Sequence, residues 1–244
     1  LITFLAAAGN AIGHGPHVRV GADQHHAKVW AVLVGGTSTG RKGTSLGWVK
    51  AVLRMADPGW ADRIVNNVGS GEVLIWKVRD ATPDPKGKND DPGEPDKRLF
   101  IAESEFAGLL RVAGRDASVL SPILRQCWEE STLTHTVKRE PARATKAHIT
   151  VVGHVTRDEL RKTMRDTERT GGTANRFLWA RSERSRLLPD GGNLHPDDLA
   201  PLARRLARSL QRAREIGEVR RTDLFREQWK IAYEELSAPH PGAL

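Results

Sequence analysis

One stretch decides the fold: Val29–Leu53, VWAVLVGGTSTGRKGTSLGWVKAVL. It opens with a short apolar run, passes through a glycine-rich turn carrying two cations, and continues with apolar residues at helical spacing (Leu46, Val49, Val52, Leu53). That pattern predicts a buried strand, a tight turn and an amphipathic helix. The turn runs Gly35-Gly36-Thr37-Ser38-Thr39-Gly40-Arg41-Lys42-Gly43-Thr44-Ser45. A bound phosphate needs backbone N–H groups pointing inward, and Gly35, Gly36, Gly40 and Gly43 remove side chains that would obstruct them. A helix starting near Thr44 adds its positive end. Lys42 has the reach for β- and γ-phosphates, and the hydroxyl of Thr44, or of Ser45, suits Mg²⁺. The spelling departs from G-x-x-x-x-G-K-[ST]. Arg41 stands between Gly40 and Lys42, and Gly43 precedes the hydroxyl. Taken alone, a ligand-free glycine-rich turn is the competing reading.

Working outward, a phosphate site needs a carboxylate at the end of a neighbouring buried strand to orient Mg²⁺ and water. RLFIAESEF offers Leu99–Ala102 and then Glu103, with Glu105 two residues on. His154 ends the apolar run ITVVG, where a polar tip would sense a terminal phosphate; a strand-end histidine bonded to solvent or backbone is equally in keeping. Glu72, in GSGE, is placed to polarise a water or simply to favour a first helical turn.

The 244 residues suffice for one α/β domain with a sizeable core. Hydrophobic content of 39% and charged content of 28% fit a soluble globular chain. The single cysteine, Cys127, excludes an internal disulfide and a cysteine metal cluster, so a reducing cytoplasm is the expected setting. No apolar run approaches the roughly 20 residues that span a bilayer, and no signal peptide is evident. The chain starts without methionine and ends in PHPGAL, which suggests a piece of a larger protein. Net charge of +8 favours an acidic partner, with nucleic acid the usual one.

Residues 1–12 read as the end of a helix, and HVRVG, KVWAVLVGG, RLFIAESEF and HITVVGHV as strands. GEVLIWKVRD is ambiguous: the apolar run suits a strand, whereas Ser70 as cap and Glu72 favour a helix, which is the expectation taken. Residues 81–97, rich in proline, glycine and charge, predict an exposed, mobile loop. Helices are expected in AGLLRVAGRDASVLSPILRQCWEES and TRDELRKTMRDTER, and NRFLWARS reads as extended. HPDDLAPLARRLARSLQRAREIG is a basic amphipathic helix, and TDLFREQWKIAYEELS another. Strands alternating with helices predict a mainly parallel sheet covered on both faces. The division expected is a core over 1–188 and a helical C-terminal segment over 189–244.

GRKGTS, GSGEVLIWKVRD, RLFIAESEFAGLLRVAGRDASVLSPILRQCWE, HITVVGHVTRDELRKTM and GTANRFLWARSERS together resemble the bacterial and phage family of primase/helicase-like P-loop ATPases. The resemblance spans roughly residues 15–244, and the altered loop is itself a habit of that family. It implies a RecA-like α/β P-loop NTPase core, ATP and Mg²⁺ as ligands, DNA (single-stranded) as partner, and a homo-oligomer such as a hexameric ring. Carried over by residue, Lys42 is the phosphate-loop lysine, Thr44 the magnesium hydroxyl, and Glu103 the acid of the second nucleotide motif. Glu103 stands where aspartate is commoner, so its contact with Mg²⁺ would run through water. Glu72 matches the glutamate after the second core strand, and His154 the polar switch residue after the fourth. Arg176, in NRF, is the arginine reaching the γ-phosphate of a neighbouring subunit.

The function expected is an ATP-hydrolysing motor on DNA, associated with helicase and primase action in replication. The arginines of helix 199–214 (Arg204, Arg205, Arg208, Arg212, Arg214) are candidate phosphate contacts, against a plain solvated face. Two rivals remain: an ATP-dependent DNA-binding switch without motor activity, and a small-molecule P-loop kinase.

Overall fold

The computed structural model describes residues 1–36, 42–82, 90–135, 142–164, 172–183 and 194–238. At its centre five strands run parallel: β3 (Ala31–Gly35), β4 (Ile64–Val65), β5 (Arg98–Glu103), β8 (His148–Val155) and β9 (Leu178–Ser182). Their spatial order is β4-β5-β8-β3-β9. This mixed α/β architecture, an all-parallel sheet between helical layers, is compatible with a RecA-like or Rossmann-type fold. The central runs β5 and β8 are buried for the reason parallel sheets demand, helices on both faces. Every residue of β8 is buried.

Strand alternation divides the core in two. On one face Phe100, Ala102 and Val152 pack with Ala6, Ala7 and Ala11 of α1 (Ile2–Ile12) and with Leu46 and Leu53 of α2 (Lys42–Ala56). Trp60 of the short α3 (Pro58–Ala61) and Leu210 complete that cluster. On the other face Leu99, Ile101, Ile149 and Val151 meet α4 (Gly71–Trp76), α5 (Phe106–Ala113) and α6 (Leu120–Glu129). Leu160 and Met164, in and just after α7 (Arg157–Thr163), pack against this second cluster. The ambiguous GEVLIW is helical: Ser70 accepts from the amide of Val73, and Leu74 and Ile75 turn inward.

HVRVG is a strand but stands outside the sheet. It forms β1 (His17–Val20), paired antiparallel with β2 (Asp23–His26). A second hairpin joins β6 (Leu133–His135) to β7 (Ala142–Ala144). NRFLWARS is extended from Phe177 and joins the sheet from Leu178, since Ala174–Arg176 form a 3₁₀ turn. Of residues 81–97, 83–89 lie outside the described residues. The rest is pinned rather than loose: Arg79 holds Asp91 through two bonds, Lys97 holds Asp80, and Arg63 holds Glu94. The acids of this proline-rich stretch find cations on adjoining elements, a partnership composition does not reveal.

The C-terminal helices are α8 (Pro196–Glu215) and α9 (Asp223–Ser237). α8 lies on α1 and α2. It buries Leu199, Ala203 and Leu210. Asp57 joins this segment to the core, accepting from Arg98 at 2.6 Å and from Arg214. Burial pulls the Asp57 carboxyl upward, but these two guanidinium bonds outweigh it and hold the group below the usual carboxylate range. No residue of α9 is buried. No described helix is long and apolar enough to cross a membrane.

Candidate functional site

In parallel strands all carboxyl ends share one edge. Along it, from β9, the order is Ser182, Gly35, Val155 and Glu103, then the connection from β4 to α4. The chain leaves β3 into α2 on one face and leaves β8 into α7 on the other. Adjacent strands whose connections depart to opposite faces open a crevice between them, and this is where α/β sheets bind ligands. The end of β3 and the start of α2, which flank the glycine-rich stretch in sequence, therefore lie at the switch point of the sheet.

Of that turn, Thr37–Arg41 lie outside the described residues, Gly40 and Arg41 among them, as does the side chain of Lys42. Gly35 and Gly36 close β3 on one side of the gap. On the other, α2 begins at Lys42, with Gly43, Thr44 and Ser45 exposed in its first turn. A Cβ at Gly43 would meet nothing within 4 Å, so its surroundings are open. α2 runs from Lys42 to Ala56, so the positive end of its dipole lies at Lys42–Ser45. Open space, exposed hydroxyls and a positive helix end fit a phosphate with its Mg²⁺.

His154 is 3% exposed and stands beside Leu33 in the ladder between β8 and β3. Alternation puts it with Val152 on the face that α2 covers, next to the switch point. Glu103 is equally buried, at 3% exposed, but pairs in register with Gly153, on the opposite face with Leu99 and Ile101. Its carboxylate accepts the Val68 amide at 3.0 Å. It thereby ties the end of β5 to the chain leading into α4. It also lines a cleft of about 730 Å³ with Glu105, Arg111, Arg115 and Lys162.

Glu72 stands in the first turn of α4, with its side chain 55% exposed and 3.5 Å from His135 Nδ1. Arg176 is on the far side. It precedes β9, so it lies at the amino edge, with Leu178 bonded to the Trp30 carbonyl at 2.8 Å. One strand length, about 16 Å, separates that edge from the phosphate-loop edge. Its guanidinium donates to the Gly172 carbonyl and to Glu129. The structure thus sets Gly35, Gly36, the first turn of α2 with Thr44 and Ser45, and His154 toward the carboxyl edge on the β3–β8 side. It sets Glu103 and Glu72 toward the β5–β4 side, and Arg176 apart from all of them within a protomer.

No protein-family model matches the chain, and no curated protein matches it.

Sequence reasoning missed a polar network that holds the α2 face together. Asn10, fully buried, donates through Nδ2 to the carbonyls of Leu99 and His148 and to the Thr150 hydroxyl. Its Oδ1 accepts the Trp60 indole N–H at 2.8 Å. A lone asparagine inside an apolar helix was the only available signal. Cys127 is chemically quiet, since burial pushes its thiol up to about 12. Among the described residues no cluster of histidine, cysteine and carboxylate side chains could hold a metal ion.

Proposed function

We propose that the chain is a RecA-like P-loop ATPase of the primase/helicase-like kind, binding ATP–Mg²⁺ at the carboxyl edge of β3 and acting on DNA. The observation that carries this reading is placement. The glycine-rich stretch with Lys42 links β3, which borders the switch point together with β8, to α2, whose N-terminus lies at the same edge of the sheet. The strand order, with β8 between β3 and β5, supports the RecA-like form of the sheet.

Phosphoryl transfer demands positioning and charge neutralisation. Lys42 and the loop amides would neutralise the β- and γ-phosphates. Thr44 or Ser45 would hold Mg²⁺, which when bound withdraws charge from the transferring group. Glu103 would reach the metal through water, and Glu72 or Glu103 would orient the attacking water. His154, on the α2 face, would couple the state of the phosphate to α7. Arg176 lies at the wrong edge to serve its own protomer, so its role would be across a subunit boundary in a homo-oligomer, a hexameric ring being the form proposed.

A second reading has one observation in its favour. Both candidate acids are engaged, Glu103 by the Val68 amide and Glu72 by His135. That arrangement suits an ATP-dependent switch in which binding rather than turnover matters. ATP turnover with and without single-stranded DNA, with native mass checked alongside, separates the two. We expect DNA-stimulated turnover, lost in Lys42→Ala and reduced about 100-fold or more in Glu72→Gln or Glu103→Gln. Nucleotide binding without turnover in an assembled oligomer would select the switch. No nucleotide binding at all would refute both.

A further inference from the structure

The outward side of α8 carries a run of exposed arginines between acidic ends, Asp197 and Asp198 at the start and Glu215 at the close. Its inner side buries Leu199, Ala203 and Leu210. The exposed side carries Arg204, Arg205, Arg208 and Arg212, none in an ion pair with a described residue. Arg204, Arg208 and Arg212 repeat every four residues, so they form one row, with steps of about 6 Å and a span of about 12 Å. Like charges at this spacing repel and weaken a helix. Arg214 does not belong to the row; it turns back to Asp57 and the Ala11 carbonyl. The helix thus separates a structural arginine from a self-repelling row whose arginines form no ion pair with a described residue.

We propose that this row is a binding rail for the phosphodiester backbone of a nucleic acid. A polymer carrying a charge every few ångström relieves the repulsion along the whole row at once. Guanidinium groups, weakly hydrated and forked, suit phosphate oxygens better than point-like ammonium groups do. The rail is mechanically close to the nucleotide crevice. Leu210 of α8 packs in one cluster with Leu46 and Leu53 of α2, the helix that starts where the glycine-rich turn ends. Strand binding on α8 would therefore be felt at α2. This coupling rests on the ATPase reading above, whereas the rail itself does not.

The test is fluorescence anisotropy with a labelled 30-nucleotide single strand, titrated across salt. Arg204→Ala/Arg208→Ala/Arg212→Ala is compared with wild type. So is Arg19→Ala/Arg220→Ala/Lys230→Ala, which removes the same charge elsewhere. Losing three phosphate contacts should flatten the salt slope by about 2 and weaken binding on the order of 100-fold at about 0.1 M salt. The control triple should change binding less than about 5-fold. Replacing the same three arginines by lysine should restore most of the affinity, and circular dichroism checks that α8 stays folded. Were the alanine triple to misfold, Arg208→Ala alone should still flatten the slope by about 0.7. Wild-type affinity in the rail variants overturns the proposal, as does an equal loss in the control. A change of native mass with binding intact also overturns it, and assigns the row to an acidic segment of another protein chain. Strand binding lost in the rail variant while wild type fails to bind ATP would leave the rail standing and the ATPase reading refuted.

Discussion

Gly153 shows how little room the carboxyl edge allows. A Cβ at this position would stand 2.3 Å from the Phe106 ring, inside any real contact distance. Phe106 opens α5 and is 1% exposed, packed edge-on to Phe177 at 5.2 Å. Neither side can yield without moving α5, so Gly153→Ala should destabilise by roughly 2–3 kcal/mol through overpacking. Chemical denaturation measures it, and a loss below about 0.5 kcal/mol would mean that α5 is seated differently. The neighbouring Glu103 carries the complementary lesson. Its place at a strand end is legible from FIAE, but its direction is not. Period-two alternation says only that Glu103 shares a face with Ile101; which helices cover that face is a long-range outcome.

Among the elements, the junction of α1, the β1–β2 hairpin and the start of β8 is set by neutral histidines. His14 Nδ1 lies 3.0 Å from His26 Nε2, and His14 Nε2 lies 3.1 Å from the Ala147 carbonyl. His148 Nε2 bonds the Gly9 carbonyl. Burial first, then the charges of His14 and Lys28, lower His26 to about 4 and His148 to about 3. Burial lowers His14 too, against the pull of the Ala147 carbonyl. An unfolded chain takes these protons near pH 6.5, whereas the folded one refuses them until far lower. Stability is therefore whole above about pH 6.5 and falls as pH drops toward 4, by up to about tenfold in the unfolding equilibrium per pH unit for buried His148. Urea midpoints at pH 7.0, 5.5 and 4.5 should decline, less steeply in His148→Gln. A flat profile would contradict this account. In contrast to this junction, the choice between strand and helix at α4 follows local signals, a serine cap and an acidic first turn that prevail over the apolar run.

For the whole molecule, the consequence of a nucleotide crevice is a stability linkage. A ligand held only by the folded state, at about 100 times its dissociation constant, adds about 2.7 kcal/mol. For a chain of this size that raises Tm by roughly 5–10 °C. ATP with Mg²⁺ should produce such a shift in the wild type and little in Lys42→Ala, read by differential scanning fluorimetry. An unshifted wild type would remove the nucleotide from the proposal.

Periodicity was enough to mark β3, β5, β8, most of the longer helices and the parallel character of the sheet, because these signals act within a dozen residues. They also marked both faces of α8, buried and basic. What only tertiary structure decided was which partners meet. It placed HVRVG in a hairpin off the sheet, pinned the acids of 90–97, and joined Asn10 to Trp60. It also set Arg176 on the opposite edge from the crevice, and Arg214 on Asp57. The Asn10–Trp60, Arg176–Glu129 and Arg214–Asp57 pairs join residues 47 to 157 positions apart, and such pairing is settled by packing and by satisfying buried polar groups rather than by any local pattern.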